Sequence, residues 1–344
     1  MSKPMSIKFS FLPAGSGDCI LVQSDDFTML IDSGDADEAC NIKEKLDETL
    51  KDRKIDLIVL THIDDDHIGG IKILLNDPAF LTKLHDKTEV WMNYPNGQEV
   101  VFESFNDTGF ISYKGGDLVK KLANENRIIL KDNITIENTP PLVSLGRSIK
   151  IQLLSPNLKK LTTLYKKWNP ALFQGNISDY SSQSDYRHSL KVLESTKDSL
   201  CTSVPNGSSL AFILNYENYN FLFLADAHTG LIRKSLQNLG YSPNSPLEVE
   251  FVKVSHHGSK YNISKKLLDL IKTSSFVFLT NSEYFLPHKQ TLERILNRKH
   301  YFDRVKLNRF IFNYEEPIAK IKQDSCISQC EAELLHQQTI SYGG

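Results

Sequence analysis

Four side chains with nitrogen or oxygen donors lie within six residues at His62-x-Asp64-x-Asp66-His67. Imidazole and carboxylate are ordinary ligands of divalent metal ions. Asp64, Asp65 and Asp66 are consecutive carboxylates, which repel one another unless a cation neutralises them. A solvated acidic loop is the plain alternative, and the flanks argue against it. Residues 55–60 (IDLIVL) form a continuous apolar run of strand length, which reads as a strand buried on both faces. Gly69-Gly70 follows, so the acidic loop leaves a core strand and leads into a helix. Later, Asp226 ends the apolar hairpin strand 220–225, and a carboxylate can bridge two cations. His256-His257-Gly258-Ser259 ends the strand 249–254 in the same way. A lone histidine is more often structural than a ligand, but this pair is not alone. Together these residues supply ligands for two metals sharing Asp226 and a hydroxide, a strong nucleophile at neutral pH.

The elements that must hold these residues follow from apolar spacing. Residues 7–12, 19–23 and 27–31 alternate like strands of a meander, and 35–53 has helical spacing. In the second half, 209–215 and 220–225 form a hairpin-like pair. Residues 249–254, 276–280 and 310–313 are further strands, and 291–298 is a helix. Residues of about 94–205 read as an insertion. There Lys114-Gly115-Gly116-Asp117 precedes a helix to about Asn126, 149–154 is a strand, and 157–168 is a basic helix. The Ser-rich loop 178–189 is a candidate regulatory or proteolytic site. The whole reads as a single domain over 1–344, with a C-terminal extension from about 314.

The chain has 344 residues, 40% hydrophobic and 24% charged, which excludes global disorder. No run approaches the roughly 20 apolar residues of a membrane span. The first residues lack a signal-peptide core. Five scattered cysteines read as reduced thiols of a cytoplasmic protein, and Cys326 and Cys330 have no second pair for a metal site. The net charge of -2 argues against a polyanion partner, but it is a sum of opposites. Residues 1–70 carry fifteen acids against seven bases, and 251–310 carry twelve bases against four acids. Lys260, Lys265, Lys266 and Lys289 could line one rim and bind phosphates, or form a solvated helix face.

Taken in order, these segments resemble the metallo-β-lactamase superfamily of hydrolases. The likeness is to the branch typified by the nuclease domain of the ComEC-like DNA-uptake protein. It rests on His62-x-Asp64-x-Asp66-His67-x-Gly69-Gly70, Gly15-Ser16-Gly17-Asp18, Asp32, Asn206-Gly207-Ser208-Ser209-Leu210, Asp226 and His256-His257-Gly258-Ser259. It implies an α/β chain folded as a four-layer αββα sandwich with an inserted α/β segment. It also implies two divalent ions, Mn²⁺ or Zn²⁺, the oxygen-rich ligand set favouring Mn²⁺. The first ion takes His62, Asp64 and Asp226. The second takes Asp66, His67, Asp226 and His257, leaving His256 to face substrate as proton donor. Asp66 also orients the hydroxide, and Asp18 and Asp32 stand behind the ligands. The family's remaining histidine for the first ion is replaced here by Asn206, with His188 as the alternative. Ser259, Lys260 and His288 contact substrate, unless His288 is a plain surface residue. The implied activity is phosphodiester hydrolysis, with DNA or RNA as substrate. The alternatives are a small-molecule phosphodiesterase, acting on a cyclic nucleotide or a phosphorylcholine-like ester, and a degenerate binding protein. Free-standing relatives resemble anti-phage defence effectors held by a protein partner, with no membrane role.

Overall fold

Ile7, Phe9 and Phe11 alternate along the first strand, and all three side chains enter one core. That alternation sets the first of two sheets in a computed structural model that describes residues 6–95, 111–168, 184–197, 199–298, 307–324, 327 and 332–343. Strands β1 (Ser6–Phe11), β2 (Ile20–Gln23), β3 (Thr28–Ile31), β4 (Ile55–Val59), β5 (Leu84–Trp91) and β6 (Ile129–Lys131) lie side by side in sequence order. The remaining strands are β7 (Val143–Leu145), β8 (Ile149–Ser155), β9 (Ala211–Tyr216), β10 (Tyr219–Phe223), β11 (Leu247–Glu248), β12 (Phe251–Lys253), β13 (Ile271–Lys272), β14 (Ser275–Phe278), β15 (Asn308–Phe312), β16 (Ala332–His336) and β17 (Thr339–Gly343). The second sheet runs β16-β15-β14-β12-β10-β9-β8-β7, and β17 returns to pair antiparallel with β1. β11 and β13 pair with each other. The last two strands therefore join one sheet each, Phe310 pairing with Leu334 and Phe9 with Ile340.

Helices cover the outer faces. α1 (Ala39–Leu50), α2 (Asp65–Leu74), α3 (Pro78–Leu81), α4 (Ile111–Glu125) and α5 (Leu158–Lys167) pack on the first sheet through Leu46, Ile71, Phe80, Leu122 and Leu161. α6 (Leu190–Ser195) and α7 (Val204–Gly207) are short. α8 (Thr229–Asn238), α9 (Lys265–Leu268), α10 (Lys289–Leu296) and α11 (Glu316–Lys322) cover the second sheet through Leu236, Leu267, Leu292 and Ile321. Three separate cores thus lie between four layers, α, β, β and α. β4 shows why its sequence has no alternation. Leu57 and Val59 enter the core between the sheets, while Ile55 and Ile58 enter the one beneath the helices.

The pair Gly115-Gly116 lies inside α4 rather than before it. Close packing explains the difference. A Cβ on Gly116 would sit 2.6 Å from the Trp168 ring, and one on Gly115 would sit 3.1 Å from Ile68. The glycines lower intrinsic helicity but let α4 lie against its neighbours. Cys326, Cys330 and residues 178–183 of the Ser-rich loop lie outside the described residues. No helix among those described is long and apolar enough to cross a membrane.

One polar contact ties the two sheets at their edge. Asp26 accepts hydrogen bonds from Arg147 N (2.6 Å), Arg147 Nε (3.2 Å), Ser148 Oγ (3.1 Å) and Ser24 Oγ (3.2 Å). Burial alone would raise the Asp26 carboxyl, but these donors outweigh it and hold it below the usual carboxylate range. A depressed folded-state value stabilises above the unfolded value of about 3.9, and that stability is lost as pH falls through the folded value. Asp26→Asn should therefore lower the urea midpoint at pH 7, with the gap to the parent closing below about pH 4. A gap independent of pH would refute this.

Candidate metal centre

The ends of β3, β4, β10 and β12 converge at one edge of the sandwich. Residues there adopt left-handed backbone conformations: Asp32 (φ 55), Ala225 (φ 43), His256 (φ 49) and His257 (φ 54). Such positions are costly for residues with a Cβ and gather at functional sites. The Gly15–Asp18 turn closes over them. A Cβ on Gly17 would lie 1.6 Å from the Asp66 carbonyl oxygen, so only glycine fits.

α2 begins at Asp65, which places Asp66 and His67 in its first turn, pointing inward, while Asp65 pairs outside with Lys72. His67 Nε2 lies 3.3 Å from His257 Nε2, 3.6 Å from Asp66 Oδ2 and 3.5 Å from Asp226 Oδ1. His257 Nε2 lies 3.2 Å from Asp66 Oδ2 and 3.8 Å from Asp226 Oδ2. Four ligands about 2.1 Å from a common ion in tetrahedral array stand about 3.4 Å apart. Asp66, His67 and His257 thus have the spacing of ligands around one ion, and His62, His67 and Asp226 form a second such group. His62 Nε2 is 3.4 Å from Asp64 Oδ2 and 3.9 Å from Asp226 Oδ2, and His256 Nε2 is 3.6 Å from that same Asp226 oxygen. His62 Nε2 and Asp226 Oδ1 are buried with no hydrogen-bond partner, as lone pairs awaiting a cation are. The donors present fit divalent metal ions.

Every histidine of the centre is oriented from behind. His67 Nδ1 donates to Asp32 (2.8 Å), His62 Nδ1 to Thr61 Oγ1 (3.2 Å), His256 Nδ1 to Asn262 Oδ1 (2.9 Å) and His257 Nδ1 to the Leu279 carbonyl (2.9 Å). Each acceptor holds the proton on Nδ1, so the nitrogen facing the centre is Nε2, the one a metal ion would take in place of a proton. Asp32 also accepts from Thr61 N (2.7 Å) and Thr61 Oγ1 (2.8 Å), which locks the loop after β4. Asp18 pairs with buried Lys253 and lies 3.2 Å from His257 Nδ1.

The electrostatics show a site built for positive charge. Burial alone would push the His257 ring down, but Asp18, Asp226 and Asp66 outweigh it and hold it at about 10. His67 is likewise raised, by Asp66, Asp226 and Asp32 against burial. Asp66 and Asp226 are held well below the usual carboxylate range despite burial, by the surrounding histidines.

Other residues singled out in the sequence fall at varied distances from this cluster. Asn206 is buried, with its amide nitrogen 3.4 Å from His256 Nδ1. His188 lies beside α10, where its carbonyl accepts from Lys289 Nζ and its ring accepts from Arg187. Ser259 is buried, its hydroxyl accepting from Tyr261 N at 3.4 Å. His288 is buried rather than on the surface, and its Nδ1 accepts from Lys260 N at 3.2 Å. Burial chiefly holds its ring near 4, so it is neutral at physiological pH.

Three of the four lysines that could line a rim stand against carboxylates instead. Lys289 is buried against Asp324 (2.6 Å), Lys265 pairs with Glu293 (3.0 Å), and Lys260 lies 3.8 Å from Asp185. Lys266 is exposed. Most of this charge neutralises carboxylates inside the second helical layer, a use that a linear count cannot reveal. Sequence reading also missed Asn262, Thr61, Lys253 and Ser112, whose hydroxyl donates to Asp64 at 2.9 Å. Only Lys253 carried a signal, as a charge within an apolar strand run.

Residues 12–137 match the family model of the metallo-β-lactamase superfamily. The chain carries the metallo-β-lactamase fold. Its candidate metal-binding residues sit at the sheet ends of that fold. No curated protein matches the sequence. Among solved structures, it is similar to the metallo-β-lactamase fold protein YhfI from Bacillus subtilis, at 10% identity and TM-score 0.45, over 99% of this chain and 100% of that one. It is similar to a diphosphatase of the PhnP family at 11% identity and TM-score 0.44, over 99% of each chain. A possible metal-dependent hydrolase from Veillonella parvula DSM 2008 matches at 10% identity and TM-score 0.39, over 98% of this chain and 99% of that one.

Proposed function

We propose that this metallo-β-lactamase-fold chain is a two-metal hydrolase of phosphodiester bonds, with DNA or RNA as substrate. One observation carries the reading: Asp226 stands among four imidazoles, Oδ1 3.5 Å from His67 and Oδ2 3.6 Å from His256, 3.8 Å from His257 and 3.9 Å from His62, where a carboxylate can bridge two ions. Asp66, His67, His257 and Asp226 would hold one ion. His62, Asp64, Asp226 and His256 would hold the other, which moves His256 from proton donor to ligand. When bound, the ions supply Lewis acidity and lower the pKa of water. Four carboxylate and four imidazole ligand positions, with Asp226 counted at both sites, suit Mn²⁺ as well as Zn²⁺.

The chain's own residues do the positioning. Asp32, Thr61, Asn262 and Leu279 fix the ring planes, and Ser112 fixes Asp64. The Asp64 side chain is 25% exposed while that of His62 is fully buried, so substrate approaches from the Asp64 side. Hydrolysis there adds a water oxygen to phosphorus and breaks the bond to the leaving oxygen, which takes up a proton.

A second reading, a small-molecule phosphodiesterase, gains from the internal use of Lys260, Lys265 and Lys289, which shortens any track for a long polyanion. Protein loaded with Mn²⁺ or Zn²⁺ should cut plasmid, single-stranded DNA or RNA. Turnover of bis-p-nitrophenyl phosphate alone would select the second reading. Inertness toward all four, in both metals, would end both.

A further inference from the structure

A cavity of about 190 Å³ lies between α5 and α7. Lys159, Lys160, Thr163, Thr202 and Ser203 line it. Two links connect it to the centre. Ser203 caps α7, and its hydroxyl lies 3.1 Å from Oδ1 of Asn206, whose amide reaches His256. Lys160 Nζ donates to His228 Nδ1 at 2.7 Å, two residues past Asp226. The His228 ring packs on Gly207, where an added Cβ would come within 2.9 Å of it.

The charge of this cavity is unbalanced. Lys160 is about half buried, and among the described residues no carboxylate pairs with it; the ionisable groups beside it are the Cys201 thiol and Lys159. The backbone amides at the start of α5 are already used, Leu158 N by Glu137 (2.9 Å) and Lys160 N by the Asn157 side chain (2.9 Å). The positive charge therefore comes from the two ammonium groups, with hydroxyl donors around them. A half-buried lysine with no carboxylate partner among the described residues, next to an exposed lysine, favours an anion. Burial, with Lys159 beside it, pulls Lys160 below the ordinary lysine range, which a bound anion would reverse. Ser203 and Asn206 lie one helical turn apart, and Asn206 lies 3.4 Å from His256 Nδ1, so one buried side chain joins the cavity wall to a histidine of the centre.

We infer that this cavity binds a second phosphate of the substrate, next along the strand from the one hydrolysed. The inference rests on the phosphodiesterase reading and deepens it, because it requires a substrate with at least two phosphates. It restores, on the α5 side, the phosphate contacts that the α10 side does not supply. Each ammonium–phosphate contact is charge-assisted and directional.

The test uses Lys159→Ala and Lys160→Gln, each checked for the parent's melting midpoint. The first removes an exposed charge and the second keeps a polar chain against His228. Rates on tetrathymidylate and tetrauridylate are compared with rates on bis-p-nitrophenyl phosphate, which carries one phosphorus. The preference in kcat/KM for the oligonucleotide should fall about tenfold in each variant. An unchanged preference overturns the subsite. If no substrate is turned over, the functional reading fails by itself. The cavity is then judged from the anisotropy of fluorescein-labelled tetrathymidylate. A Kd weakened about tenfold in both variants upholds it, and an unchanged Kd removes it.

Discussion

Alanine at Asp226 should lower phosphodiester hydrolysis by about a thousandfold or more, and lower bound metal from two equivalents toward one or none. Asp226 lies within 4 Å of all four histidines of the centre, so its loss weakens both proposed sites at once. Metal activation supplies several kcal/mol of transition-state stabilisation, and each 1.4 kcal/mol or so is tenfold in rate. Asp226→Asn separates charge from shape. It keeps one oxygen in place but cannot bridge as an anion, so it should lose metal nearly as fully. The check is metal content by atomic emission beside initial rates in Mn²⁺. Parental rates in Asp226→Ala with full metal would remove Asp226 from the centre.

Lys253→Met should destabilise the metal-free protein by about 3–5 kcal/mol, the cost of leaving one partner of a buried ion pair uncompensated. Lys253 is 1% exposed and Asp18 2% exposed, and the two pair beneath the centre. Burial alone would raise the Asp18 carboxyl, but Lys253 and then His257 outweigh it and hold it at about 2. Without Lys253, Asp18 must either stay charged with less positive charge around it or take up a proton. The double variant Asp18→Asn/Lys253→Met removes both charges and should regain most of the loss. Urea midpoints in excess chelator measure this without interference from metal. A single variant as stable as the parent would show that His257 alone satisfies Asp18.

The strands and the metal-type residues were legible because they obey local rules. Ile7, Phe9 and Phe11 alternate, and 55–60 does not, and each pattern maps directly onto the faces that β1 and β4 bury. Donor residues at strand ends were equally visible, since His62, Asp226 and His257 each follow an apolar run. Gly115-Gly116 misled because propensity penalises glycine in a helix, while packing against Trp168 and Ile68 requires it. The basic segment misled for a related reason. Charge counts carry no direction, and Lys289 and Lys265 turn inward to Asp324 and Glu293.

The sequence by itself determined most of the strands, the identity of most candidate ligands and their mixture of carboxylate and imidazole. These follow from residue type and spacing over a few positions. Only the tertiary structure decided which donors lie within reach of one another. The distances among Asp66, His67, Asp226 and His257 span up to 191 positions of chain, and their closure depends on how two sheets stack. The same holds for the roles of His256 and Asn262 and for the α5–α7 cavity. A ring's usable lone pair is set by what lies behind it, and a lysine's partner by what lies beside it. Neither is a property of neighbours in sequence.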